Sequence, residues 1–288
     1  MEIISQFVLN SFIAGSIYTL MALGFNLIYS TTKFFNFAHG VMAAIGGYTV
    51  FYFAKILGLN IYFSIFIGIF LSGFIGYFLY KFIYLPLKKR RASNMVLLIA
   101  SLGAFTAIQA IITILFNPEY KTLVDEISIP KSYEIFGGII TQTQVVILVS
   151  AFLVFVCLLL LLYKTQFGKV LRAISDDEEV ARIIGINTNK IIGYAFFIAS
   201  AIAGLAGILV GFDTGIEPTI GLNLLLKGVI ASIVGGIGNI YGGILGSFLL
   251  GFVENFGIWK VSSEWKEAIA FLLLIVFLIF RPNGIINK

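Results

Sequence analysis

The feature that most constrains this chain is the recurrence of apolar runs about as long as a bilayer is thick, broken by short polar or glycine-rich stretches. The run QVVILVSAFLVFVCLLLLLY at 144–163, for example, carries no charge. A helix needs about 20 mostly apolar residues to cross the hydrocarbon core, and lipid leaves no other way to satisfy the backbone of an open chain. Hydrophobic residues make up 59% of the sequence and charged residues 11%, so the bilayer is its solvent. The longest non-apolar stretches, 117–141 and 164–190, span only about 25 residues each, too few for a soluble domain. The chain therefore reads as a single transmembrane domain over 1–288, all-α and polytopic.

Spans are expected at 4–29, 40–57, 61–84, 94–116, 142–163, 190–211, 222–237, 240–259 and 266–281, about nine in all, with eight to ten as the range. The seventh is short and ends in glycine; it reads as a tilted span, a broken helix or a re-entrant half-helix. Basic residues set the orientation. With the Lys88–Arg91 cluster in the cytoplasm, nine alternating spans place Lys33, Lys81, Lys164, Lys169, Arg172, Arg182, Lys190, Arg281 and Lys288 on the same side. That accounts for 13 of the 19 basic residues, leaving 6 outside. The N-terminus is then out and the C-terminus in. MEIISQFVLN has no basic n-region and reads as the start of a retained first span. Thirty glycines, several at small-xxx-small spacing, point to close helix packing.

Several functions are excluded early. The net charge of +5 does not indicate nucleic acid, because the basic residues gather where spans end. One histidine and one cysteine do not make a structural zinc site. Cys157, inside an apolar run, has no disulfide partner. Serines are scattered without a base, so the chain is not read as an enzyme. It has no G-x-x-x-x-G-K-[ST] phosphate loop and no dense set of buried acids. Uphill transport would draw its energy from a partner.

The most distinctive stretch is FGKVLRAISDDEEVARIIGI at 167–186, a charged, sided segment between two apolar runs. On a helix, Val170, Ile174, Ala181 and Ile184 fall near one face, with Leu171 beside them. Ser175 followed by Glu178 reads as a capping box, dividing the segment into helices over about 168–174 and 176–184, with Gly185 as the stop. Four consecutive acids, 176–179, disfavour rest on an anionic leaflet. A docking surface for a partner fits better than an interfacial helix.

Three stretches carry a family resemblance: TLMALGFNLIYSTTKFFNFAHGVMAAIGGY at 19–48, the 167–186 segment, and GVIASIVGGIGNIYGGILGSFLLGFVE at 228–254. They are similar, in the same order, to the LivH-type permeases of branched-chain amino-acid ABC importers. The resemblance implies a type II, vitamin-B12-importer-like helix arrangement in the plasma (cell inner) membrane. It implies a translocation pathway for branched-chain amino acids, shared with a second, homologous LivM-type permease. Further partners would be two cytoplasmic ATPase subunits, which bind ATP and Mg so that this chain holds no cofactor, and an extracytoplasmic substrate-binding protein. On this basis 164–190 is the coupling segment, with Arg172, Ala173, Asp177, Ala181, Gly185 and Ile186 as its contact residues. Urea and short-amide permeases share these motifs and remain the nearest alternative. A self-contained channel or secondary transporter is the alternative of a different class, but it would have no use for a docking helix.

Ionisable groups at membrane depth are functional candidates. Glu254 is either such a group or a helix-end carboxylate reaching the outer surface. Lys227 either snorkels or pairs with Glu254. Near the first turn, Asn26, Asn36, His39 and Gly40 read as a gate or pathway lining, or as a structural turn. Here Gly40 relaxes the backbone and Asn36 caps the next helix. The 117–141 segment, bounded by Pro118 and Pro130, bears Glu119, Asp125, Glu126 and Glu134. Lys121 and Lys131 lie there too; with Asp213 and Glu217 the segment reads as an ordinary solvated loop or as an acidic outer face suited to steering a binding protein.

Overall fold

The computed structural model describes residues 2–124, 131–135, 137–259 and 261–286. Asp125, Glu126, Pro130 and Lys288, singled out in the sequence, lie outside these. Twelve α-helices appear among the described residues: α1 Glu2–Thr32, α2 Ala38–Val50, α3 Ile61–Leu79, α4 Leu85–Lys89, α5 Asn94–Phe116, α6 Gln142–Lys164, α7 Gln166–Asp176, α8 Glu178–Ile183, α9 Thr188–Asp213, α10 Ile220–Gly235, α11 Ile240–Gly257 and α12 Lys266–Phe280. Wider π-helical turns prolong α2 through Phe51–Ile56 and join α3 to α4 through Tyr80–Tyr84.

Among the described residues, six helices are long and apolar enough to cross a membrane: Ile3–Thr32, Ile61–Lys89, Asn94–Phe116, Gln142–Lys164, Thr188–Asp213 and Ile240–Gly257. The other three expected spans correspond to α2 with its π-helical extension, to the 16-residue α10 and to the 15-residue α12. The seventh segment is one unbroken 16-residue helix, so its glycines end it and do not break it.

One element departs from an all-α reading. Strands β1 Ser132–Ile135 and β2 Gly138–Thr141 form an antiparallel hairpin with Ser132 opposite Thr141. The Gln6 side chain clasps it, donating to the Ile139 carbonyl at 3.1 Å and accepting from the Ile139 amide at 2.8 Å. This tertiary clasp imitates a neighbouring strand and has no local signature.

The core lies where α1, α2, α9, α10 and α11 meet, and glycine lets their backbones touch. A Cβ on Gly207 would sit 1.9 Å from the Ala43 carbonyl oxygen, and one on Gly235 would sit 1.7 Å from that of Gly242. Helix association in lipid depends on such close packing, because apolar side chains gain little by leaving apolar solvent. The outer helices keep large side chains exposed, as in the Phe66, Phe70, Phe74 series along α3.

Contacts sort the helix connections into two ends. At one end the N-terminal part of α1 meets the hairpin, and Lys121 pairs with Ile216 in a short β-bridge. At the other end are the α7–α8 segment, the α10–α11 turn and the chain after α12. There the Ile285 and Ile286 amides donate to the Val234 and Gly235 carbonyls.

Candidate functional site

In the core, Glu254 of α11 is completely buried, with its side chain 0% exposed. The Tyr18 hydroxyl of α1 donates to it at 2.6 Å, and the Lys227 ammonium of α10 pairs with its other oxygen. Glu254 therefore does not reach a surface, and Lys227 does not snorkel away. A lone buried charge is costly; here both carboxylate oxygens are occupied and the charge is matched. The triad joins three helices through one carboxylate.

Between α1 and α2, residues 33–37 are not helical, yet Phe34 and Asn36 are buried. Irregular backbone survives at depth only if its polar groups find partners. The Phe37 amide donates to the Ser101 hydroxyl at 3.0 Å, and the Ala38 amide to the Asn36 side chain at 3.1 Å, which also accepts from Tyr84 at 2.9 Å. The N-cap of α2 is Phe37, which has no side-chain cap; Asn36, one residue earlier than a cap, holds the amide of the first helical residue instead. Gly40 is there for close approach: a Cβ would lie 2.5 Å from the Gly221 carbonyl oxygen. His39 is fully buried against Gly24, where a Cβ would fall 2.6 Å from the ring. Its ring nitrogens lack good hydrogen-bond geometry to any described residue. Asn26, also buried, ties α1 to the α10–α11 turn. It donates to the Asn239 carbonyl at 3.2 Å and accepts from the Gly238 amide at 2.9 Å.

The α7–α8 segment differs in detail from its sequence reading. Asp177, not Ser175, caps the second helix, accepting from the Glu179 and Val180 amides at 2.8 and 3.0 Å. Ser175 stays within α7, whereas Asp177 takes the extended conformation of a cap and brings a full negative charge to a helix N-terminus. Gly168, Leu171, Ile174 and Ala181 face the body of the protein. Ile184 does not join them: Val180, Ile183 and Ile184 are exposed at 53, 83 and 69%. The segment is anchored from within, as Glu178 pairs with Lys88 and with Arg182. Arg172 is exposed and lies over the Tyr163 ring, 4.7 Å from its centroid. Gly185, at φ +89°, ends α8 with the Gly185 amide on Arg182 and the Ile186 amide on Ala181, a Schellman stop.

The sequence has relatives along nearly its whole length. The profile of the branched-chain amino acid transport system permease component family matches residues 7–278. The chain belongs to that family. It is 32% identical to the high-affinity branched-chain amino acid transport system permease protein BraD of Pseudomonas aeruginosa, over 98% of this chain and 95% of that protein. Against the permease protein LivH of Salmonella typhimurium the identity is 31%, with the same coverage. The autoinducer 2 import system permease protein LsrC of Yersinia enterocolitica is 35% identical, but over only 44% of this chain and 38% of that protein. No solved structure matches the chain.

For this permease-family protein the structure brings Glu254 and Lys227 together, and it adds Tyr18 and Ser101. Neither addition carries a sequence signal, since a tyrosine or serine in an apolar helix has no telling pattern. It separates Ala173 and Ala181 from the exposed tip of the α7–α8 segment: Ala173 is half-buried and Ala181 is buried. Asp177 acts as a cap. The apolar side chains free to meet a partner are Val180, Ile183 and Ile184.

Proposed function

We propose that this chain is a permease subunit of an ABC importer for branched-chain amino acids, a transport component and not an enzyme. The observation that carries the reading is the full-length match to the permeases BraD and LivH, which are themselves named for branched-chain amino acid transport. The match favours that substrate class over urea or short amides. On this reading α2, α10 and α12 complete nine crossings in a type II arrangement within the plasma membrane. The N-terminal end faces outward and the α7–α8 end lies in the cytoplasm. There Ile183, Ile184 and Val180 enter a groove of an ATPase subunit, Arg172 contributes a charged contact, and Gly185 and Ile186 shape the exit. The two ATPases bind ATP and Mg; a second, LivM-type permease and an extracytoplasmic binding protein complete the assembly. A channel or secondary transporter has no need for a segment anchored internally yet apolar at its tip.

The test is co-expression with ATPase, second-permease and binding-protein subunits from the same organism, co-purification, and ATP-dependent uptake of labelled leucine and urea in parallel. Leucine uptake is expected; uptake of urea alone, or uptake without bound ATPase, would overturn the reading. Single cysteines at Ser93 and Ser132, in a Cys157→Ser background, should label from opposite sides of the membrane. Labelling of both from outside would refute the orientation.

A further inference from the structure

At the end of the bundle that holds the N-terminus, a crevice of about 340 Å³ opens between α1, α6, α9, α10, α11 and α12. That volume falls in the range of small-molecule sites, about 300–1,000 Å³. Ile13, Ile17 and Leu224 supply an aliphatic wall, while Asp213 and Lys266 bring one charge of each sign to the lining. Neither of these forms an ion pair with any described residue; the Gln144 side chain, also in the lining, hydrogen-bonds Asp213 and leaves its charge unmatched.

Both charges stand where their own helices disfavour them. Asp213 is the last residue of α9, at the negative end of the helix dipole, and the last turn holds no basic residue. Lys266 is the first residue of α12, near the positive end, where a 3-10 turn at Ser263–Trp265 leads into the helix and Glu267 follows. An incoming ammonium would meet Asp213 and the α9 carbonyl end together; an incoming carboxylate would meet the Lys266 ammonium. Asn10, Gln144, Thr214 and Asn255 line the same crevice. Asn255 is 5% exposed and donates to the Gly251 carbonyl at 2.8 Å, while no described residue hydrogen-bonds its side-chain oxygen.

We propose that this crevice is a docking site for a free aliphatic α-amino acid, its ammonium on Asp213, its carboxylate on Lys266 and its side chain against Ile13, Ile17 and Leu224. The assignment rests on the permease reading and locates where that permease first holds its substrate. Tyr18 also lines the crevice, so the occupied site would abut the hydroxyl that holds Glu254.

The test uses the co-purified transporter in nanodiscs, without binding protein, and saturation-transfer NMR on the methyl groups of three probes. These are leucine, 3-methylbutylamine, which lacks the carboxylate, and 4-methylpentanoate, which lacks the ammonium. Leucine is expected to give a signal. Removing either charge from the probe, or making Asp213→Asn or Lys266→Gln, should weaken it about tenfold, the loss of one charge-assisted contact. Unchanged melting would show that the variants remain folded; if they do not fold, the probe comparison on the unaltered protein decides alone. Equal signals from all three probes, or full leucine signal in both variants, would overturn the site. So would variants that keep the leucine signal but lose binding-protein docking, since the crevice would then be a protein contact. Leucine uptake with binding protein present, measured on the same preparation, separates the two levels. Uptake without a transfer signal removes the crevice alone; absence of uptake with ATPase bound removes the permease reading and the crevice with it.

Discussion

Tyr18 and Glu254, 236 residues apart in sequence, are joined by a 2.6 Å hydrogen bond inside the bundle. The bond turns an apolar-looking face of α1 into the third side of a charge site whose other members, Lys227 and Glu254, sit on consecutive helices. A carboxylate with both oxygens occupied fixes the relative positions of α1, α10 and α11. A mismatch at any corner strands a charge away from water.

Lys227→Met should therefore cost about 3–5 kcal/mol, the penalty for leaving a buried partner uncompensated. Tyr18→Phe, which removes a neutral donor, should cost about 1–2 kcal/mol. Combining Lys227→Met with Glu254→Gln should cost less than the two single changes added, because the second removes the charge the first exposed. Thermal melting of the detergent-solubilised protein measures all three; strict additivity would show that the pair is not coupled.

The α7–α8 segment, proposed to couple to an ATPase, gives a separation of effects. Ile183→Asp places a charge on an 83% exposed side chain and should leave melting within about 0.5 kcal/mol. If it is an interface anchor, it should remove bound ATPase and uptake, a loss of about 2 kcal/mol or more in binding. Ala181→Trp should do the reverse, overpacking a buried site and lowering the melting temperature. ATPase immunoblots of the purified complex, beside melting curves, would distinguish them.

The range of each interaction decides how far it is legible in the sequence. Apolar runs set by bilayer thickness predicted every long helix, and the Lys227–Glu254 pair was visible as two charges at similar depth on adjacent spans. Tyr18 was not, because its partner is chosen by the packing of α1 against α11. Ser175 and Asp177 both have N-cap chemistry, and only the backbone bend at Asp177 decides between them. Ala181 and Ile184 fall on one face of an ideal helix, but α8 ends at Ile183, so Ile184 leaves that face. The hairpin at 132–141 depends on Gln6, far away in the chain.

Glycine packing makes a paired prediction. Gly207→Ala would bring a methyl within 1.9 Å of the Ala43 carbonyl oxygen, forcing α2 and α9 apart. Overpacking of this kind typically costs about 1–3 kcal/mol. Gly103, within α5, has nothing within 4 Å of an added Cβ. Gly103→Ala should be neutral or stabilising by up to about 1 kcal/mol through helix propensity. Opposite shifts in melting temperature would bear this out, and equal shifts would contradict it.

The chain after α12 serves as a cap for α10. The last carbonyls of a helix have no partner within it, and here the Ile285 and Ile286 amides fill the role at 2.9 and 3.0 Å, on Val234 and Gly235. Two glycines make the approach possible: Gly236 at φ +118° and Gly284 at φ +76°, where a Cβ on Gly284 would lie 2.4 Å from the Gly236 amide. The same turn is held from its other side by Asn26. A chain ending at Asn283 should therefore keep all its helices yet expose the end of α10. Amide exchange is expected to rise across 234–243, with little change in α3 or α5. Gly284→Val should act in the same direction, since it adds both a strained backbone and a clash. Asn26→Ala combined with the truncation should release the turn further than either change alone. If truncation leaves exchange at 234–243 unaltered, the tail does not cap this helix, and Asn26 alone holds the turn.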